Sequence, residues 1–309
     1  MQQSLRRFVR LAGWLMLGCL CLWIINLAQV QPAAGLASAS TQPGQASLSQ
    51  PSILEALARA EVVYLGETHS SPADHAAQLE IIQALVQEKV RVAIALEMFQ
   101  RPYQPILDAY LASEIDEAAL VEKTEYEQRW GFPWEYYAPI LRFAKAQQMP
   151  VLALNTPTEI TRKVAQAGLD SLSEEDFRYI PPVTEIHTDN AAYRAYIEDI
   201  FTQAHAGHGS ALSFDNFFAA QVLWDETMAE GIADFRQAHP DYSVVVLAGQ
   251  GHVIYGYGIP DRVARRLGDD LQQAIVILNP DAALQAEFEN GVADYFWFTE
   301  DSALTSPSF

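Results

Sequence analysis

Two tetrads, Gly66-Glu67-Thr68-His69 and Gly249-Gln250-Gly251-His252, each directly follow an apolar run that reads as a buried β-strand. Three further runs end at Leu96, Leu154 and Leu278 and are followed by Glu97, Asn155 and Asn279. In an open α/β sheet, ligands bind beyond the carboxyl ends of the strands, so these polar residues converge if the strands are parallel neighbours. Glu67, His69, Glu97 and His252 are then expected in one pocket. Two imidazoles with one or two carboxylates and an open position suit a divalent metal such as Mn, Fe or Zn. Without a metal, two close carboxylates repel, raise one pKa and offer an acid and a base for hydrolysis. The plainer alternative is that the glycines serve tight turns and the histidines cap nearby backbone. The sequence has no H-E-x-x-H, P-loop or G-x-S-x-G motif, and Gly249, Gly251, Gly256 and Gly258 are wrongly spaced for dinucleotide binding.

The elements that would position these residues follow from periodicity. Near-continuous apolar runs at 61–65, 90–96, 150–154, 243–248 and 274–278 predict strands covered on both faces. Helical spacing predicts helices at 72–88, 104–122 and 134–147, the first opened by Ser70-Ser71-Pro72. A helical pair at 188–206 and 215–238 is inserted before the fourth strand and is the expected lid, about 185–240. The fold class is therefore α/β: a central, largely parallel sheet with helices on both faces and a helical insertion. His205 and His208 fall where the first lid helix should end. They either favour the helix dipole there or reach over the crevice as ligands. Tyr126, Trp130, Phe132, Trp134, Tyr136 and Tyr137 read as core, or as an apolar wall for a flat cofactor.

The first 39 residues bear on compartment. Arg6, Arg7 and Arg10 precede an apolar stretch over 11–30 and small residues ending in Ala37-Ser38-Ala39, the layout of a secretory signal peptide. The stretch also approaches the ~20 residues of a membrane helix, so 1–39 is expected to be a signal peptide or an N-terminal anchor. Leu17-Gly18-Cys19 has the outline of a lipoprotein box, but Leu22-Trp23-Ile24-Ile25 continues the apolar run where such a box would have closed it. The protein is expected to be exported, periplasmic or at the cell envelope, and to touch a membrane only through this segment. Both cysteines, Cys19 and Cys21, lie within it. The rest of the chain therefore has no thiol for a disulfide, a zinc–cysteine site or a nucleophile. With 19 basic against 39 acidic residues and a net charge of −20, the surface repels nucleic acid. Residues 40–52 read as a flexible linker and 53–309 as one α/β domain.

The order of motifs resembles the ChaN-like haem-binding proteins of the Tiki/EreA superfamily. The likeness is carried by the Gly66-Glu67-Thr68-His69 strand end, Leu96-Glu97-Met98-Phe99-Gln100-Arg101, and Asn155 followed by Pro157. It extends through Trp224-Asp225-Glu226-Thr227-Met228-Ala229 and Gly249-Gln250-Gly251-His252. The resemblance implies haem or a related small molecule as ligand, a role in haem or iron acquisition, and a homodimer. It also implies an alternative, since erythromycin esterases and Tiki proteases look like hydrolases built on the same Gly-x-x-His elements. By motif, Glu67, His69, Glu97 and His252 carry over as site residues, with Arg101 and Asp225 near them. Tyr255 and Tyr257 are the expected haem tyrosines, joined by His205 and His208 as pocket candidates. One departure is Thr158, where the family commonly has a basic residue that would contact an anionic group.

Overall fold

A computed structural model describes residues 48–299 except 89, 205–212 and 269. The expected signal peptide or anchor, the lipoprotein-box outline, most of the linker, and His205 and His208 lie outside the described residues. Helix α1 (Gln50–Leu57) takes up the last residues of the stretch expected as linker.

Six strands form one parallel sheet: β1 (Val62–Glu67), β2 (Val92–Gln100), β3 (Val151–Asn155), β4 (Ser243–Gly249), β5 (Gln273–Leu278) and β6 (Tyr295–Trp297). Their order is β3-β2-β4-β1-β5-β6. The five longer strands fall where the apolar runs predict them. The sixth has three residues, too few for a periodicity to register.

The unbroken apolar character of the strands is explained by cover on both faces. Val63, Leu65, Ile94, Leu96, Val245 and Leu247 point into a core shared with α1 and α2 (Pro72–Gln87). Helices α3 (Gln104–Leu111), α4 (Glu117–Lys123), α5 (Tyr126–Arg129) and α6 (Trp134–Ala146) complete this face. The alternate residues Val62, Tyr64, Val244, Val246 and Ala248 pack on the other side. There they meet α9 (Phe214–Ala238) and α10 (Ile259–Leu267). Outside α9, a third apolar cluster joins it to α7 (Thr158–Ala167) and α8 (Ala191–Ala204). Of the two helices expected as a lid, the longer thus lies against the sheet and the shorter packs on it.

Local details follow the chemistry of the ends. Helix α2 opens with Pro72 in its first turn, and the Ser71 hydroxyl accepts from Asp74 N at 3.3 Å. The helix expected over 104–122 is two helices. Ser113 takes φ 62°, and Asp116 caps α4 by accepting from Ala119 N at 2.8 Å. The outer edge of β3 is closed by one side chain: Gln104 donates to Val151 O at 2.8 Å and accepts from Ala153 N at 2.6 Å.

The order of strands decides where the site forms. The chain runs from β1 to β2 and β3, then returns to place β4 between β1 and β2. Glu67 lies in register with Gly249, and Leu96 with Leu247. The carboxyl ends of β1, β4 and β2 are therefore side by side.

Candidate functional site

At these three strand ends Glu67, His69, Glu97 and His252 come together as expected, and all four are buried. His69 Nδ1–H donates to Glu67 Oε1 at 2.7 Å. His252 Nδ1–H donates to Asp225 Oδ1 at 2.6 Å, with Asp225 presented from the buried face of α9. The Nε2 atoms of both imidazoles face one atom, Glu97 Oε1, at 4.0 Å from His69 and 3.5 Å from His252. Two carboxylate-backed histidines thus converge on a third carboxylate.

Gly66 and Gly249 are required by close approach. A Cβ on Gly249 would sit 2.8 Å from His69 Nε2, and one on Gly66 would sit 2.8 Å from the Ile277 side chain. Gly249 N also donates to Glu97 Oε2 at 2.7 Å, and Asn155 Nδ2 donates to the Glu97 carbonyl at 2.8 Å. Gly66 and Gly249 thus serve close packing at the strand ends, and both histidines bond to carboxylates rather than to backbone.

Charge alternates along the row. Burial pushes the Glu97 carboxyl up, but the imidazoles of His252 and His69 outweigh it and hold the group down at about 2. Burial pushes His252 down, and the Glu97 and Asp225 charges overcome this and carry it up to about 10. His69 is raised in the same way, its burial outweighed by Glu97 and Glu67. Glu67 is lowered, because His69 and His75 and the Tyr137 hydroxyl more than offset burial. At neutral pH the cluster therefore holds the His252 imidazolium N–H against the Glu97 carboxylate, with His69 shifted toward its charged form. These groups can polarise a carbonyl, protonate a leaving group and orient a water.

Of the residues expected to hold a divalent metal, Glu67 is saturated by its neighbours, whereas His69 Nε2, His252 Nε2 and Glu97 Oε1 face one another. Among the described residues no group of three or more His, Cys, Asp or Glu is arranged to hold a metal ion. Glu67 Oε1 accepts from His69 and Tyr137, and its Oε2 accepts from Gln78 at 2.5 Å. Both Nδ1 atoms are committed to carboxylates.

Sequence reasoning missed the residues that hold the row in place. Gln78 and Tyr137 fix Glu67, and His75 accompanies them, its Nε2 3.0 Å from His69 O. At the other end Tyr193 donates to Asp225 Oδ2 at 2.6 Å, and Gln221 donates to the Tyr193 hydroxyl at 3.2 Å. A signal was present: His75 and Gln78 share the buried face of α2 with Ile81, Ile82 and Leu85, and Gln221 stands one turn before Asp225. Polar residues on an apolar helix stripe need partners inside. Of the aromatic group, Trp130 and Phe132 pack on the His69 ring at 4.7 and 5.2 Å while belonging to the core.

A pocket of about 560 Å³ opens beside His69. Tyr196, Ile254, Tyr255 and Leu284 give it an apolar wall. Tyr255 holds φ 55°, a conformation bulky residues rarely adopt, and its ring stacks on Tyr257 at 5.2 Å. Tyr257 is not among the lining residues. Arg101 is outside the cluster: it donates to Glu230 Oε2 at 2.6 Å and to Thr227 O, tying β2 to α9. Thr158 receives Gln100 Nε2 at 2.5 Å, and Gln100 Oε1 in turn accepts from Arg129 at 3.1 Å.

Among the described residues no helix is long and apolar enough to cross a membrane. Comparison with known proteins gives four findings. The family described as "Haem-binding uptake, Tiki superfamily, ChaN" matches residues 53–263. Protein RETICULATA-RELATED 5, chloroplastic, of Arabidopsis thaliana is 28% identical over 284 residues, covering 85% of this chain but only 37% of that protein. Among solved structures, ChaN of Campylobacter jejuni, described for cofacial haem binding, aligns with a TM-score of 0.60 at 18% identity. That alignment covers 81% of this chain and 91% of that one. An erythromycin esterase in its open conformation aligns with a TM-score of 0.43 at 14% identity, over 74% of this chain and 72% of that one.

Proposed function

We propose, from the premise that this chain belongs to the ChaN family of haem-binding uptake proteins in the Tiki superfamily, that it binds haem in the pocket beside His69. The carrying observation is the pocket itself. Its volume of about 560 Å³ is in the range of small-molecule and cofactor sites, ~300–1,000 Å³. One wall is apolar and carries the phenols of Tyr196 and Tyr255, and a phenol is an established type of haem ligand. Tyr255 would hold the iron, with Ile254 and Leu284 against the porphyrin face. The strained backbone at Tyr255 supports this role, because such outliers cluster at functional sites. When bound, haem supplies a redox-active iron and a flat hydrophobic surface. The N-terminal pattern supports export to the cell envelope, and the reading extends to haem or iron acquisition by a homodimer. Absorbance titration of the protein with haemin tests the core of it. We expect a saturable Soret shift, weakened at least tenfold in Tyr255→Phe; an unshifted Soret band in the wild-type protein would remove haem from consideration.

A second reading, hydrolysis, is favoured by one specific observation: the Nε2 atoms of His69 and His252 face Glu97 Oε1. In that reading the imidazole N–H donors polarise a carbonyl and Glu97 orients the attacking water. Hydrolysis of an activated ester, lost in Glu97→Gln with the fold retained, would support it. Equal rates in the wild type and that variant would end it.

A further inference from the structure

The pocket beside His69 is charged on one side only. Glu67, Asp74, Asp281 and Glu287 line it, and the described lining residues include no lysine or arginine. His69, the one basic side chain there, is already faced by Glu67 and Glu97. Asp74 is buried and committed, accepting from Thr68 N at 2.7 Å and Asn279 Nδ2 at 2.8 Å. Asp281 and Glu287 flank the short helix α11 (Ala282–Ala286) on the same side of the pocket. Asp281 accepts from Leu284 N at 2.8 Å, and Glu287 accepts from the Tyr255 hydroxyl at 3.3 Å and from Asn290 at 2.8 Å. These neutral donors leave both negative charges in place. The rings of Tyr196 and Tyr255, 6.0 Å apart, add π faces that attract positive charge.

We infer that this pocket selects its occupant by charge, admitting a neutral or cationic edge of a flat apolar molecule and refusing a carboxylate. The inference deepens the haem reading and rests on it. Haem carries its two propionates on one edge, so it would enter by the opposite, alkyl-bearing edge and leave the propionates outside. A porphyrin with a propionate on every pyrrole ring has no such edge. A carboxylate forced against these acidic groups would lose about tenfold in affinity or more, from like-charge repulsion at partly screened range.

The test is absorbance titration of the full chain with haemin and with iron coproporphyrin, which bears four propionates. Each is repeated on the double variant Asp281→Asn/Glu287→Gln. Asparagine still caps α11 and glutamine still accepts from Tyr255, so the pocket wall is kept. We expect haemin to bind at least tenfold more tightly than iron coproporphyrin, and the gap to shrink several-fold in the double variant. Equal binding of the two, or a gap the double variant does not change, would overturn the charge selection while leaving haem binding intact. If neither porphyrin binds, the haem reading fails and the charge selection is read from two dyes by fluorescence. Cationic thioflavin T is then expected to bind and to weaken in the double variant. Preference for anionic anilinonaphthalene sulfonate, or binding of neither dye, would overturn it.

Discussion

Replacing Glu97 with glutamine removes the charge on which both imidazoles converge, and the effect on His252 can be worked out. The distance from His252 Nε2 to Glu97 Oε1 is 3.5 Å. At an effective dielectric of about 20 the attraction is about 5 kcal/mol, or roughly three pH units of titration midpoint. His252 in the native protein is carried up to about 10 from 6.5. In Glu97→Gln its midpoint should fall by about three pH units, with Asp225 still supporting the charged form. A raised histidine stabilises the fold fully below its unfolded value and loses that contribution as pH rises through the folded one. Glu97, held at about 2 against 4.5, stabilises above its unfolded value and is lost as pH falls. The wild-type protein should therefore be most stable between about pH 4.5 and 6.5, and should lose up to ~5 kcal/mol of this contribution by pH 10. In the variant the alkaline decline should begin at the same pH, be smaller and end at lower pH. Imidazole NMR titration from pH 5 to 11, paired with urea unfolding at each pH, measures both. A His252 resonance titrating near 6.5 in the wild type, or an unchanged midpoint in Glu97→Gln, would refute the coupling.

Other perturbations probe the supporting structure. Gly249→Ala places a Cβ 2.8 Å from His69 Nε2 and should cost about 1–3 kcal/mol by overpacking, seen as a lower urea midpoint together with an altered His69 resonance. Tyr193→Phe leaves Asp225 Oδ2 without its 2.6 Å donor and should cost about 1–3 kcal/mol in urea unfolding; unchanged stability would show that water replaces the hydroxyl. Gln104→Ala removes both bonds to the β3 edge and should cost about 1–3 kcal/mol in thermal unfolding. Tyr255→Gly relieves the left-handed backbone, so its melting temperature should fall less than that of Tyr255→Ala, although both lose the ring.

How much of this was legible before the fold was known varied with the range of the interaction. The five longer strands could be read because parallel strands under helices on both faces must be apolar throughout, and the crevice rule then placed Glu67, Glu97 and His252. Tyr193 and Tyr137 could not be read. Each lies on a helix whose apolar face it shares, and only its tertiary partner, a carboxylate far away in sequence, distinguishes it from core packing. Arg101 shows the converse: a polar residue beside a site motif that turns away to bind the backbone of α9. The break at Ser113 escaped because a single left-handed residue leaves the surrounding helical periodicity intact.

The position of β4 between β1 and β2 also bears on how the molecule comes into being. A growing chain makes β1, β2 and β3 long before β4, so the central slot stays open while well over a hundred residues are added. During that interval two apolar strand edges are exposed and Glu67 and Glu97 lack the wall that brings them together. Closing the slot is a long-range step, of the kind that slows folding and invites misassembly. Insertion of β4 closes the central slot and completes the charged row in the same event, so recovery of the His252 signal after dilution from urea would time that step of folding.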